Sequence, residues 1–197
     1  MSIVRVKDFN LDSLNVSELR KNKAGGKAVY LKYSLGRKNK ACEYDNNLEV
    51  EETNIQNLIL QTDILNVKEF STNSLTVNCM DSLFLEVIQQ IESHATEKFS
   101  TETNKLRSLI NENSVKLNII EDKTLMFDSE KKVISLLENN TNVQLLIQPI
   151  GIWIKDDEYG MSCRLLQVKV LEKEELLQEY AFIDDENEFY DIVPNDF

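Results

Sequence analysis

Two stretches of the chain place an aromatic residue two positions before a lysine. Tyr30 precedes Lys32 in "AVYLKYSL", and Trp153 precedes Lys155 in "IGIWIK". In a strand every second side chain points to the same face, so each ring would share a face with its lysine. Sites for single-stranded nucleic acid combine these two groups, because aromatic rings stack on bases and lysines attract phosphates. The pattern predicts such a contact, with a core position as the alternative for Trp153.

Basic residues are concentrated in one segment near the amino end. Between Arg20 and Lys40 the chain has no Asp or Glu, although its formal net charge is −12. Lysines and arginines bind nucleic acid by neutralising phosphates. The alternative is a solvated loop and strand face. With Tyr30, Trp153 and Lys155, the predicted DNA contacts are the basic residues of this segment: Arg20, Lys21, Lys23, Lys27, Lys32, Arg37, Lys38 and Lys40.

The carboxyl end is strongly acidic and also carries aromatic residues. From Glu172 to Phe197 there are ten acidic residues against Lys173 alone. Beyond Tyr180 charge outweighs burial, which predicts a mobile tail at 181–197. Charge separated in this way predicts two partners, or a tail that masks the basic region. The predicted partner contacts are Asp184, Asp185, Glu186, Glu188, Phe189, Tyr190, Asp196 and Phe197.

Residue patterns for enzymatic chemistry are weak in this sequence. Around the Gly26–Lys27 pair of "AGGKA", Lys21 and Ala28 occupy the positions where a phosphate-binding P-loop requires Gly and Ser or Thr. His94 is the single histidine, which removes most acid–base and metal-hydrolase schemes. We therefore predict that the protein is not an enzyme and that it has no catalytic residue, metal or cofactor.

The three cysteines, Cys42, Cys79 and Cys163, lie far apart along the chain. This spacing suggests neither a disulfide framework nor a zinc site, and it favours a reducing, intracellular setting. Each cysteine is interpreted as a small buried hydrophobe. Charges at Arg5, Lys7 and Asp8 and the lack of a long apolar run predict a soluble cytoplasmic protein with no membrane contact.

Alternating and β-rich runs predict most of the secondary structure. "AVYLKYSL" is the clearest half-buried strand, and "NIQNLILQTDIL", "SLTVN" and "VKLNII" are further candidates. "VQLLIQPIGIWIK" and "MSCRLLQVKVLE" predict a hairpin around "DDEYG", with Gly160 free to take a positive φ. Pro149 and Gly151 predict an edge, a bulge or a sharp bend.

Helical patterns are fewer. Phe84, Val87, Ile88, Ile91 and Ala95 follow helical spacing behind a cap at Asp81 or Ser82. "NKLRSLINEN", "DSEKKVISLLENN" and "EKEELLQEY" are shorter candidates. With 42% hydrophobic residues, the 197-residue chain is long enough for one compact domain, expected at 1–180.

These features together resemble a known group of proteins. The basic region with "GRKNKACEY", a central helix, the late hairpin "IQPIGIWIKDDEYGMSCRLLQVKVLE" and the acidic tail ending in an aromatic residue resemble the single-stranded-DNA-binding proteins of poxviruses and other large DNA viruses. More loosely, they resemble the replicative single-strand binders of bacteria and tailed phages. The chain is short for the viral family and lacks its Ser-rich amino-terminal extension.

The resemblance implies an α+β, mainly β fold, an OB-fold-like β-barrel with one main amphipathic helix and shorter helices. It also implies single-stranded DNA as ligand, replication proteins such as polymerase, helicase or primase as partners of the tail, and the host cytoplasm if the protein is viral. RNA binding and a homo-oligomer stay open. The alternatives are an acidic protein-interaction module or DNA mimic that does not bind nucleic acid, and an accessory subunit of a larger replication or transcription complex.

Overall fold

The computed structural model describes residues 2–21, 26–35, 54–97 and 105–172. Within these ranges the chain forms fifteen strands, two short 3-10 helices at Val6–Asp8 and Leu11–Ser13, and one α-helix, α1 (Leu83–Thr96). The strands are β1 (Ser2–Arg5), β2 (Leu14–Val16), β3 (Arg20–Lys21), β4 (Lys27–Leu35), β5 (Asn54–Gln56), β6 (Leu58–Gln61), β7 (Leu65–Phe70), β8 (Ser74–Asn78), β9 (Lys105–Arg107), β10 (Ile110–Asn111), β11 (Ser114–Asn118), β12 (Leu125–Phe127), β13 (Val133–Ile134), β14 (Asn142–Lys155) and β15 (Glu158–Val170).

The long hairpin β14–β15 organises the sheet. Strand order along the main path is β10-β11-β8-β7-β14-β15-β12-β13, and successive parts of β14 also pair with β6 and β4. Among the described strands this path stays open, because no pairing joins its two ends. The structure is thus mainly β with one α-helix, as predicted, and closure into an OB-like barrel stays a prediction.

The predicted hairpin is confirmed, but its turn differs from the expected one. The loop is the dipeptide Asp156–Asp157, and Asp156 has the positive φ of 52°. Gly160 instead lies inside β15, opposite Trp153. The predicted irregularity near Pro149 is a β-bulge, since the register shifts between Pro149 and Gly151. Ile150 is the extra residue of this bulge and is half-buried, whereas Ile152 is buried.

The other predicted strands lie where the sequence places them, except that one predicted run forms more than one strand. "AVYLKYSL" lies within β4, "SLTVN" is β8 and "VKLNII" overlaps β11. "NIQNLILQTDIL" is divided into β5, β6 and the first residue of β7. Strand structure is therefore interrupted twice, at Asn57 and at 62–64, within a run whose composition alone is continuously β-rich.

The main helix begins and packs as its sequence predicts. Ser82 is the N-cap, and its side chain accepts a hydrogen bond from the amide of Phe84. Asp63, in the loop after β6, binds the same end of the helix, since it accepts from Ser82 Oγ at 2.8 Å and from the amide of Leu83 at 3.0 Å. The predicted apolar positions are buried, and Glu92 is buried among them.

The predictions of two shorter helices are wrong. "NKLRSLINEN" forms β9 and β10, with a left-handed residue at Glu112. In "DSEKKVISLLENN", Asp128 closes a turn by accepting from the amide of Lys132, and Lys131 takes a φ of 67°. A residue with positive φ interrupts a right-handed helix, so neither segment propagates one. The third candidate, "EKEELLQEY", lies outside the described residues except for Glu172.

Cys79 and Cys163 are buried thiols, which confirms the prediction for these two residues. Burial raises the pKa of each thiol to about 12, with nearby acids, Asp63 and Glu92 respectively, adding to the effect. Cys42 lies outside the described residues. Within the described ranges no three His, Cys, Asp or Glu side chains come together as a metal site.

The described part of the chain contains no helix with the length and apolar character needed to cross a membrane.

Candidate nucleic-acid interface

The register of four strand pairs places Trp153 between two arginines. Trp153 on β14 lies opposite Ala28 on β4 and Gly160 on β15. Ala28 lies opposite Arg20 on β3, and Gly160 lies opposite Arg107 on β9. Paired residues project to the same face of a sheet. With strands about 4.8 Å apart, the backbone of each arginine is about 10 Å from that of Trp153. We call this surface the Trp153 face.

Trp153 rests on β15 and is not part of the core. A Cβ atom added to Gly160 would lie 2.9 Å from Cζ2 and 3.1 Å from Cε2 of the indole. The ring therefore covers the position where any other residue would place its side chain. Trp153 is half-buried and is absent from the buried core cluster. The structure thus places Trp153 at the surface of the sheet and not in the core.

A second aromatic ring lies beside Trp153 on the same face. Tyr30 lies opposite Gly151, two positions along β14 from Trp153, and is 39% exposed. Such diagonal neighbours are about 7–8 Å apart, within reach of large side chains. Val29 and Leu31 are buried on the other face, which confirms the predicted alternation of β4.

Lys32 follows Tyr30 on the Trp153 face, as predicted. Its side chain is exposed, and Nζ donates a hydrogen bond of 2.6 Å to Oδ1 of Asn57. This bond joins β4 to the connection between β5 and β6. The ammonium group is thereby positioned near Tyr30 but still reaches solvent.

Among the strand residues at the turn end of the Trp153 face, one is acidic and three are cationic, and the turn itself adds Asp156 and Asp157. Glu158 is opposite Lys155 on β14 and Lys105 on β9. Arg107 donates to the same carboxylate oxygen, Oε1, from Nε at 2.9 Å and from Nη2 at 2.6 Å. The hydrogen bond from Arg107 lowers the pKa of Glu158, so this carboxylate stays ionised. Both side chains are partly exposed, so solvent screens the pair.

Counting the described strand residues of this face on β3, β4 and β9 and at the turn end of β14 and β15, cations outnumber acids by five to one. Glu158 is the acid, and the cations are Arg20, Lys32, Lys105, Arg107 and Lys155. Asp156 and Asp157 of the adjoining turn reduce this excess but do not reverse it, so the local charge is opposite in sign to that of the whole chain. An anionic ligand would be attracted to this face in spite of the net charge of −12.

Two of the sequence-predicted lysines lie on the other side of the sheet. Lys21 and Lys27 are opposite each other, and Lys27 is also opposite Ile154, whose side chain packs against the core. They lie beyond the edge of the core and are exposed. Because their side chains point away from Trp153, they do not contribute to the Trp153 face.

Other predicted site residues lie outside the described residues. In the basic segment these are Lys23, Arg37, Lys38 and Lys40. In the acidic tail they are Asp184, Asp185, Glu186, Glu188, Phe189, Tyr190, Asp196 and Phe197.

Lys105 and Arg107 were not predicted as site residues. Both lie in the segment "NKLRSLINEN", for which helical spacing predicted a short helix. Their position depends on pairing between β9 and β15, which are about fifty residues apart in the chain. Local sequence carries no sign of that pairing.

Comparison with known proteins finds a distant structural neighbour. No model of a known protein family matches the sequence, and no curated protein matches it. Among solved structures, a C-terminally truncated single-stranded DNA-binding protein from bacteriophage Enc34 aligns with 84% of this chain and 99% of its own, at 11% sequence identity and a TM-score of 0.39. A match this distant assigns neither fold nor activity, and membership of the poxvirus group stays a prediction.

Proposed function

We propose that this protein binds single-stranded DNA, without catalysing a reaction, through the Trp153 face. The observation that carries the proposal is the cross-strand row in which Trp153 lies between Arg20 and Arg107, flanked by the small residues Ala28 and Gly160. The indole lies over Gly160 and is half-buried, so part of its surface stays open for a base. Arg20 can bind a phosphate on one side of that base, and Arg107 can bind one on the other side if the phosphate replaces the carboxylate of Glu158.

The same chemistry favours single strands over duplexes. Trp153 and Tyr30 can stack only on bases whose faces are not already covered by neighbours in a double helix. Stacking is tolerant of sequence because every base has a π-face, so we expect little sequence preference. RNA offers the same bases and phosphates, and we expect weaker discrimination between RNA and DNA than between single and double strands.

Binding should be strongly dependent on salt. Single strands release about 0.7 counterion for each phosphate that a cation neutralises. With five cations on the Trp153 face and one of them paired to Glu158, the slope of log K against log salt should be about −3. Electrophoretic shift and fluorescence anisotropy with oligo-dT at rising salt measure this slope. Absence of binding at low salt would disprove the proposal, and tighter binding to a duplex of equal length would exclude single-strand recognition.

We further propose that the acidic segment 181–197 masks the Trp153 face of the domain at 1–180 and binds replication proteins, such as a polymerase, helicase or primase, once DNA displaces it. A flexible tether gives such a segment a local concentration of the order of mM, enough to compete with dilute DNA. DNA carries more charge per length and would displace it.

Deleting residues 186–197 should therefore strengthen binding to oligo-dT several-fold at low salt, with the gain fading as salt screens the competition. A second variant replaces Asp184, Asp185, Glu186 and Glu188 by Asn or Gln, which keeps the length of the segment and removes these four charges. Both variants should behave alike in the anisotropy titration. Affinity and salt slope equal to those of the intact chain would contradict masking.

A further inference from the structure

The Trp153 face continues along the whole hairpin. Beyond Gly151, Gln148 lies opposite Arg164, Leu146 opposite Gln167, and Gln144 opposite Lys169. Buried residues of β14 and β15 alternate with these positions. The two register shifts insert one extra residue each and then restore the alternation, so the same face continues from Trp153 to Gln144, with Leu146 as an apolar position among polar ones.

Arg164 is the most unusual residue of this continuation. Its Nε is buried and has no hydrogen-bond partner among the described residues. An arginine side chain remains charged in proteins and has donors but no acceptors. A buried donor without a partner is unfavourable unless an acceptor completes it. Arg164 as a whole is half-buried and lies on this face, so its guanidinium, whose charge and geometry fit a phosphate oxygen, is a candidate phosphate contact.

Next to Arg164 the face forms a groove rich in amides. The groove is about 170 Å³ in volume, and Gln61, Gln144, Leu146, Gln167 and Lys169 line it. Glutamine amides offer donors and acceptors, as the edges of unpaired bases do. None of the lining residues is acidic, and Lys169 adds a positive charge at the far end. The groove thus suits a neutral hydrogen-bonding group attached to an anionic backbone.

Resting on the proposed function, we infer that a single strand runs along the hairpin from Trp153 to this groove, with Arg164 on a phosphate midway and the glutamines on base edges. From Trp153 to Gln144 is nine residue steps on β14, about 30 Å at the rise of a strand. At a stacked spacing of 3.4 Å that length holds about nine nucleotides, and fewer if the strand is extended.

The test compares dT12 with dT4, by fluorescence anisotropy, on the full chain. The wild-type protein should bind dT12 more tightly than dT4. Arg164→Gln should weaken dT12 binding about tenfold and make its salt slope less steep by about 0.7, while dT4, held at Trp153, should bind as before. Lys116→Gln, which removes an exposed charge from β11, is the control and should change neither oligonucleotide.

A second measurement is independent of any variant. On adding dT12, the side-chain amide NMR signals of Gln144, Gln148 and Gln167 should shift, and on adding dT4 they should stay. This inference would be overturned if Arg164→Gln bound dT12 as tightly as the wild-type protein does, or if the glutamine signals did not shift. Either result would do so even if Trp153→Ala still weakened the binding of dT4. If the wild-type protein binds neither oligonucleotide, the proposed function fails together with it.

Discussion

Trp153→Ala is expected to weaken binding to oligo-dT by about 10-fold to 100-fold. A base stacked on an aromatic side chain contributes about 1–3 kcal/mol, and alanine removes the whole platform. The indole lies on Gly160 and is half-buried outside the core cluster, so the fold should tolerate its loss. No charge is removed. The salt slope should therefore stay the same while the affinity falls, which separates stacking from phosphate attraction.

Two further variants test whether the loss of affinity comes from lost stacking. Trp153→Phe retains an aromatic face and should recover most of the affinity, whereas Tyr30→Ala should lose less than Trp153→Ala because Tyr30 lies at the diagonal position. Trp153 is the single tryptophan, so quenching of its fluorescence by oligo-dT reports the contact directly. Unchanged affinity in Trp153→Ala, with unquenched fluorescence in the wild-type protein, would place the ligand elsewhere.

The sequence predicts the part of this site that is determined by residues close together in the chain. Alternation in β4 places Tyr30 and Lys32 away from Val29 and Leu31, because successive side chains of a strand point in opposite directions. The helix α1 is predicted for a similar reason, since its apolar spacing and its Ser82 cap are both local.

The remaining part of the site depends on pairing between distant segments. Arg107 joins the row of Trp153 only because β9 pairs with β15, and its own sequence resembles a short helix. Arg164 lies in a correctly predicted strand, yet the burial of its Nε, which has no hydrogen-bond partner among the described residues, does not follow from the sequence around it. Lys27 shows the reverse, since composition placed it with Lys32 although the strand period places the two on opposite faces.

The row through Trp153 requires β4 and β14 to lie at one particular register, and Gly151 tests that register. A Cβ atom at Gly151 would lie 1.9 Å from the carbonyl oxygen of Val29 and 2.9 Å from its carbon. Backbone atoms of a paired strand cannot move aside as a flexible side chain can. Gly151→Ala should therefore separate β4 from β14 near Tyr30, lowering the free energy of unfolding by about 3 kcal/mol or more.

Urea denaturation followed by circular dichroism measures this change, and Ser162→Ala is the matched control. Ser162 is the partner of Gly151 on β15 and is half-buried, so its replacement should change the free energy of unfolding by less than about 0.5 kcal/mol. Gly151→Ala should also weaken oligo-dT binding, because Tyr30 and Arg20 reach the Trp153 face only through β4. If Gly151→Ala unfolds like the wild-type protein, β4 does not pair with β14 at this position. Arg20, Tyr30 and Lys32 would then lose their place beside Trp153, and the Trp153 face would be reduced to the residues of β9, β14 and β15.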